Sequence, residues 1–134
     1  MRILITGING FVGTNFTNSW FRNHKIFGLD IHQPGKEGVE RIFSWDELGK
    51  VPPVDAIVHL AGKAHDTKNS SEAQVYFDVN TGLTKKIFDY FLQSDARTFI
   101  FFSSVKAAAN SVPGDVLTED VVPAPMGPYG ESKI

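Results

Sequence analysis

The chain has 134 residues, 42% of them hydrophobic, and a formal net charge of −2; this suits one domain with a real core, argues against disorder, and leaves no electrostatic footprint for a nucleic acid. There is no cysteine, which excludes disulfides and thiolate metal sites, and the four histidines (His24, His32, His59, His65) have no metal-ligand spacing, so no metal is expected. No apolar run reaches membrane-spanning length and Met1 to Gly7 lacks the pattern of a secretory leader, so a cytoplasmic domain without a membrane partner is expected.

In chain order, Arg2 to Ile5 is a short β run. Phe11 to Asn23 carries Val12, Phe16 and Trp20 at helical spacing. Lys25 to Leu29 is a second strand closed by Asp30, Pro34 to Gly38 a loop, and Arg41 to Phe43 a third strand. Pro52-Pro53 breaks the chain before a fourth strand, Ala56 to Leu60. Ser71 can cap a long helix reaching about Gln93, with Val75, Val79, Leu83, Ile87 and Tyr90 on one face. Thr98 to Phe102 is a fifth, apolar strand. Residues 105–128 read as loop, and a helix begins near Tyr129.

Apolar strands separated by helices predict a parallel sheet covered on both faces. Right-handed crossovers with the first strand central predict an α/β, Rossmann-type doubly wound sheet of order 3-2-1-4-5, with ligands beyond the strands' carboxyl ends between strands 1 and 4.

The motifs fall at those ends. Thr6-Gly7-Ile8-Asn9-Gly10-Phe11-Val12-Gly13 joins the first strand to the first helix. Gly7 permits a tight turn, Gly10 lets backbone approach a pyrophosphate, and Gly13 lets the helix pack close to the sheet. The helix start offers free N–H groups to the phosphates. The spacing is G-x-x-G-x-x-G, one residue looser than the usual fingerprint. Asp30, ending the second strand, can accept hydrogen bonds from the adenosine ribose hydroxyls and would repel a 2′-phosphate. No arginine or lysine follows it directly, which favours NAD over NADP. The small residues of Leu60-Ala61-Gly62 leave room for a cofactor to cross the sheet edge.

Ser103-Ser104 ends the fifth strand, where a hydroxyl can bond a substrate oxygen. Tyr129 and Lys133, four apart on a helix, share one face. A cation there favours the phenolate and can lower a tyrosine pKa from its usual value of about 10. With a dinucleotide, these groups suffice to move a hydride and a proton at a C–OH carbon.

Taken in order, Thr-Gly-x-x-Gly-Phe-Val-Gly, Asp30, His59-Leu60-Ala61-Gly62, Asn80, Phe99 to Ser104 and Tyr129-Gly130-Glu131-Ser132-Lys133 resemble the extended short-chain dehydrogenase/reductases, specifically the NAD-dependent sugar epimerase/dehydratase group. The resemblance runs from Met1 to Ile134. It implies Tyr129 as acid/base, Lys133 on the nicotinamide ribose, and Ser104 on the sugar hydroxyl. It implies Leu60, Ala61, Gly62, Asn80 and Ser103 along the cofactor, although Leu83 replaces the glycine that follows the family's helix asparagine. Ser104 is followed by Val105-Lys106 and not by the acid pair of sugar dehydratases. That pattern looks like enzymes epimerising UDP-hexoses or UDP-N-acetylhexosamines at C4, or reducing 4-keto sugars for surface polysaccharides. A non-catalytic NAD-binding module is the third alternative. Family members run to roughly twice this length, past one domain's worth of chain. The resemblance therefore implies an N-terminal fragment, 1–134, truncated before the last strands and lacking the substrate domain. On that expectation the piece is inactive, its Tyr129/Lys133 helix lacks tertiary support, and the parent protein is a homodimer.

Overall fold

The computed structural model describes residues 1–64, 72–112 and 114–134. Met1–Ala61 with Lys86–Phe102 forms one compact unit, and Gly62–Lys85 with Ser103–Ile134 forms a second.

In the first unit, β1 (Arg2–Thr6), β2 (Lys25–Leu29), β3 (Val39–Phe43), β4 (Ala56–His59) and β5 (Thr98–Phe101) make one sheet in the order β3-β2-β1-β4-β5. Its four pairings are parallel; Thr6 lies beside Leu29 on one side and His59 on the other. The predicted order is therefore the observed one. Side chains alternate across β1 and build a core on each face. Leu4 joins Leu29, Phe43, Ile57 and Ile87 on one face. Ile3 and Ile5 join Ile8, Ile26, Ile42 and Val58 on the other. Ser44 and Glu47 form a capping box opening a short 3-10 helix, Trp45–Lys50, which the sequence reading left unassigned.

Of the apolar residues spaced along helix α1 (Phe11–Trp20), Phe16 alone packs, partly buried, against the core. The buried residues of the helix are Gly13 and Thr17, while Val12 and Trp20 remain exposed. Close approach explains this, since a Cβ on Gly13 would stand 2.7 Å from Gly7 O and from Ile8 Cα. Small side chains let the helix settle where larger ones would hold it off.

The long helix is three pieces: α2 (Ala73–Tyr76), a π turn (Phe77–Thr81) and α3 (Gly82–Gln93). Ser71, its expected cap, lies outside the described residues. The inward positions of the first half belong to Tyr76 and Asn80, 4% and 1% exposed, whereas Val75 is on the surface. Counting apolar residues misplaces this face because Asn80 is polar and satisfied by hydrogen bonds. In the first unit Ile87 is fully buried, as its spacing predicts.

In the second unit, residues 105–128 are not all loop. They contain α4 (Val105–Ala108), and Ala109 forms a parallel bridge with Ala124. Helix α5 (Gly127–Lys133) follows, with Pro128 in its first turn. This helix is supported, contrary to expectation. Thr81 Oγ1 donates to Ser132 O at 3.1 Å and Ser103 Oγ donates to Lys133 O at 3.0 Å. These bonds satisfy carbonyls that a helix end leaves without intrahelical partners. Gly130 seats against the Lys106 carbonyl, leaving no space for a side chain between α5 and α4.

Candidate functional site

The first unit carries the glycine-rich turn. Gly7 has φ +67°, in the region glycine tolerates, and a Cβ there would lie 2.8 Å from the Ala61 backbone. Gly10 is the N-cap of α1, and Phe11 and Val12 form its exposed start. Beside the turn, Asp30 Oδ2 accepts from Asn9 N at 3.0 Å and Oδ1 accepts from Ile31 N at 2.8 Å. Asn9 Nδ2 donates to His32 O at 2.9 Å. These bonds fix the carboxylate at the end of β2, next to the peptides of the turn. Bare glycine backbone, a helix start and a fixed carboxylate fit a dinucleotide's pyrophosphate and ribose hydroxyls.

Thr6 and His59 lock the neighbouring strand end, a device the motif reading missed. Thr6 Oγ1 accepts from Leu60 N at 3.2 Å and Ala61 N at 3.0 Å. The same hydroxyl shares a hydrogen bond of 2.6 Å with His59 Nδ1. His59 is 1% exposed and stacks on Phe101. The hydroxyl thus holds the Leu60–Ala61 backbone against Gly7.

The second unit carries Ser104, Tyr129 and Lys133, the groups expected from the sequence to handle the proton. Asn80 Oδ1 accepts from Lys63 N at 2.7 Å, and Nδ2 donates to Ser132 Oγ at 2.9 Å. Ser132 Oγ in turn donates to Tyr129 O at 2.8 Å. Asn80 sits within the π turn, an irregularity frequent at functional positions. A Cβ on Gly62 would fall 2.8 Å from Asn80 Oδ1 and 3.0 Å from Lys133 Nζ, so Gly62, Asn80 and Lys133 form one packed group. Lys133 is 9% exposed, and this desolvation lowers its pKa from the ordinary lysine value.

One turn before Lys133, Tyr129 packs edge-on to Tyr76 at 6.0 Å. Both tyrosines line a cavity of about 170 Å³ with Lys106, Asn110, Met126 and Pro128. Ser104 is the N-cap of α4, and its Oγ accepts from Lys106 N at 3.2 Å, leaving its own proton for donation. It lines a separate, wider groove with Leu117, Thr118 and Val121. Ser103 is set apart from Ser104 by its bond to the end of α5. Among the described residues no cluster of three or more His, Cys, Asp or Glu could hold a metal, and no helix is long and apolar enough to cross a membrane.

A family model described as the NAD dependent epimerase/dehydratase family matches residues 3–134. The chain is similar to the UDP-glucose 4-epimerase of Streptococcus mutans, 30% identical over 150 residues that cover 100% of this chain and 44% of that protein. It is 28% identical to the UDP-glucose 4-epimerase of Vibrio cholerae, over 98% of this chain and 43% of that one. Among solved structures, the UDP-Glc/GlcNAc 4-epimerase of Campylobacter jejuni matches with a TM-score of 0.83 at 26% identity, covering 98% of this chain and 45% of that chain. MoeE5 in complex with UDP-glucuronic acid and NAD has a TM-score of 0.85 at 21% identity, a likeness of fold covering 99% of this chain and 46% of that one. The chain thus spans under half the length of these relatives.

Proposed function

The chain belongs to the NAD dependent epimerase/dehydratase family, and on that premise we propose that it is the NAD-binding part of a nucleotide-sugar epimerase acting at C4 of a UDP-hexose or UDP-N-acetylhexosamine. The observation that carries the reading is α5, which sets the Tyr129 phenol on a cavity one turn from the desolvated ammonium of Lys133. The 4-epimerase relatives support the choice of reaction.

Gly7, Asn9, Gly10, Phe11, Val12 and Gly13 would hold the pyrophosphate, Asp30 the adenosine ribose, and Leu60, Ala61, Gly62, Asn80 and Ser103 the path towards the nicotinamide. NAD, when bound, supplies the acceptor and donor of hydride. Tyr129 would take the proton of the C4 hydroxyl and later give it back to the same oxygen. The family resemblance gives Ser104 a hydrogen bond to that oxygen, which requires one substrate to reach both the groove it lines and the Tyr129 cavity. Lys133, one helical turn on from Tyr129, would hold the nicotinamide ribose. Val105-Lys106 after Ser104, in place of an acid pair, supports epimerisation over loss of water.

The test uses the whole protein with UDP-glucose and UDP-N-acetylglucosamine. Tyr129→Phe is expected to cut turnover by roughly 10²-fold or more, with NAD still bound. Normal turnover by that variant refutes the assignment. Cofactor that exchanges freely, with NADH or NADPH oxidised once for each 4-keto sugar reduced, would show a keto-sugar reductase instead. NAD binding without turnover of either sugar would show a cofactor-binding module.

A further inference from the structure

We propose that Lys36 and Asp30 together orient the Ile8–Asn9 peptide of the glycine-rich turn, which makes Lys36 a positioning residue for dinucleotide binding; the inference rests on reading that turn as an NAD cradle. Lys36 lies in the loop after β2, six residues beyond Asp30, and no motif points to it. Its Nζ donates to Ile8 O at 2.6 Å and to Thr14 Oγ1 at 2.9 Å. On the same peptide unit, Asn9 N donates to Asp30 Oδ2 at 3.0 Å. The carbonyl and N–H of a trans peptide point in opposite directions. A cation therefore holds the oxygen end and an anion holds the hydrogen end of a dipole of about 3.5 D.

That peptide lies midway between Gly7 and Gly10, where a pyrophosphate would meet the turn. Rotated the other way, it would face its carbonyl towards the Asp30 carboxylate and its N–H towards the Lys36 ammonium. The two charges prevent the rotation. The Thr14 contact adds a second hold, because Thr14 is in the opening turns of α1. Burial lowers the Lys36 pKa from the usual lysine value while the Asp30 charge opposes that fall, so the two groups lie in each other's field. Asp30 accordingly has two tasks, ribose acceptor and one jaw of this grip.

The test is calorimetric titration of the whole protein with ADP-ribose, which carries the adenosine and pyrophosphate but no nicotinamide. Lys36→Met is expected to weaken binding about ten-fold, the effect of losing charge-assisted hydrogen bonds, and Lys36→Arg to recover most of it. Asp30→Asn should also weaken binding. The double variant Lys36→Met/Asp30→Asn should bind less weakly than the product of the two losses, since releasing either end frees the peptide. Thr14→Val, which keeps the charge, should show a smaller loss and serves if Lys36→Met folds poorly. Equal binding by wild type and both Lys36→Met and Thr14→Val overturns the proposal, as does strict multiplication of the losses in the double variant. A wild-type protein that binds neither ADP-ribose nor NAD sinks the cradle reading itself, an outcome separate from these.

Discussion

Replacing Asn80 by alanine tests whether the π turn is organised around this side chain. Asn80 is 1% exposed and makes three hydrogen bonds: from Lys63 N at 2.7 Å, to Lys63 O at 3.3 Å and to Ser132 Oγ at 2.9 Å. Alanine strands the Lys63 amide, whereas the Ser132 hydroxyl keeps its bond to Tyr129 O. Each stranded buried group costs about 1–3 kcal/mol. The 3.3 Å contact is the weakest and adds little. Part of the cost is relieved where water reaches Lys63, so the expected loss is about 1–3 kcal/mol. Urea unfolding followed by circular dichroism measures it, as a lower midpoint at unchanged slope. Asn80→Asp provides the contrast. It keeps the acceptor for Lys63 N, and its carboxylate, close to the Gly62–Lys133 group, should raise the Lys133 pKa towards the ordinary lysine value. An Asn80→Ala protein within about 0.5 kcal/mol of wild type would refute the reasoning, because it would mean that these bonds are replaced by water at no cost.

Gly7→Ala should destabilise the first unit by about 2–4 kcal/mol, since φ +67° strains any other residue and the new methyl meets the Ala61 backbone at 2.8 Å; thermal unfolding reads the shift, and an unchanged midpoint would contradict it. Ile87→Ala removes a fully buried side chain from the core that includes Leu4 and Ile57, and should cost about 2–5 kcal/mol in the same assay. Lys133 has a folded-state pKa below its unfolded value, so between those two values the unfolded chain holds more protons and stability rises with pH. The stability of wild type relative to Lys133→Met should therefore climb as pH rises from 7 towards the ordinary lysine pKa, and a flat difference across that range would show that Lys133 is not desolvated.

Much of the first unit was legible in the chain. Buried strands such as Ile3-Leu4-Ile5 and Ala56-Ile57-Val58 are continuous apolar runs, and handedness leaves few ways to order them. Boundaries moved by a residue or two, as where β1 extends to Thr6 and β4 stops at His59. Two helices differ from their apolar spacing for one reason: Val12, Trp20 and Val75 are exposed, while Gly13, Thr17 and Asn80 take the interior because close approach and hydrogen bonding outrank hydrophobicity there. Helix α5 was expected to lack support because seven residues cannot hold a helix alone; Thr81 and Ser103, far away in sequence, supply it.

The sequence alone determined the sheet order, the glycine turn, the acid at the end of β2 and the four-residue spacing of Tyr129 and Lys133. Each is written locally, in a run of side chains, a backbone angle or a helical repeat. Tertiary structure alone decided that Lys36 grips Ile8, that Thr6 meets His59, and that Asn80 reaches Ser132. Those partners stand 28, 53 and 52 residues apart. No local pattern records such meetings, because they exist only once packing has brought the two stretches of chain within hydrogen-bonding distance.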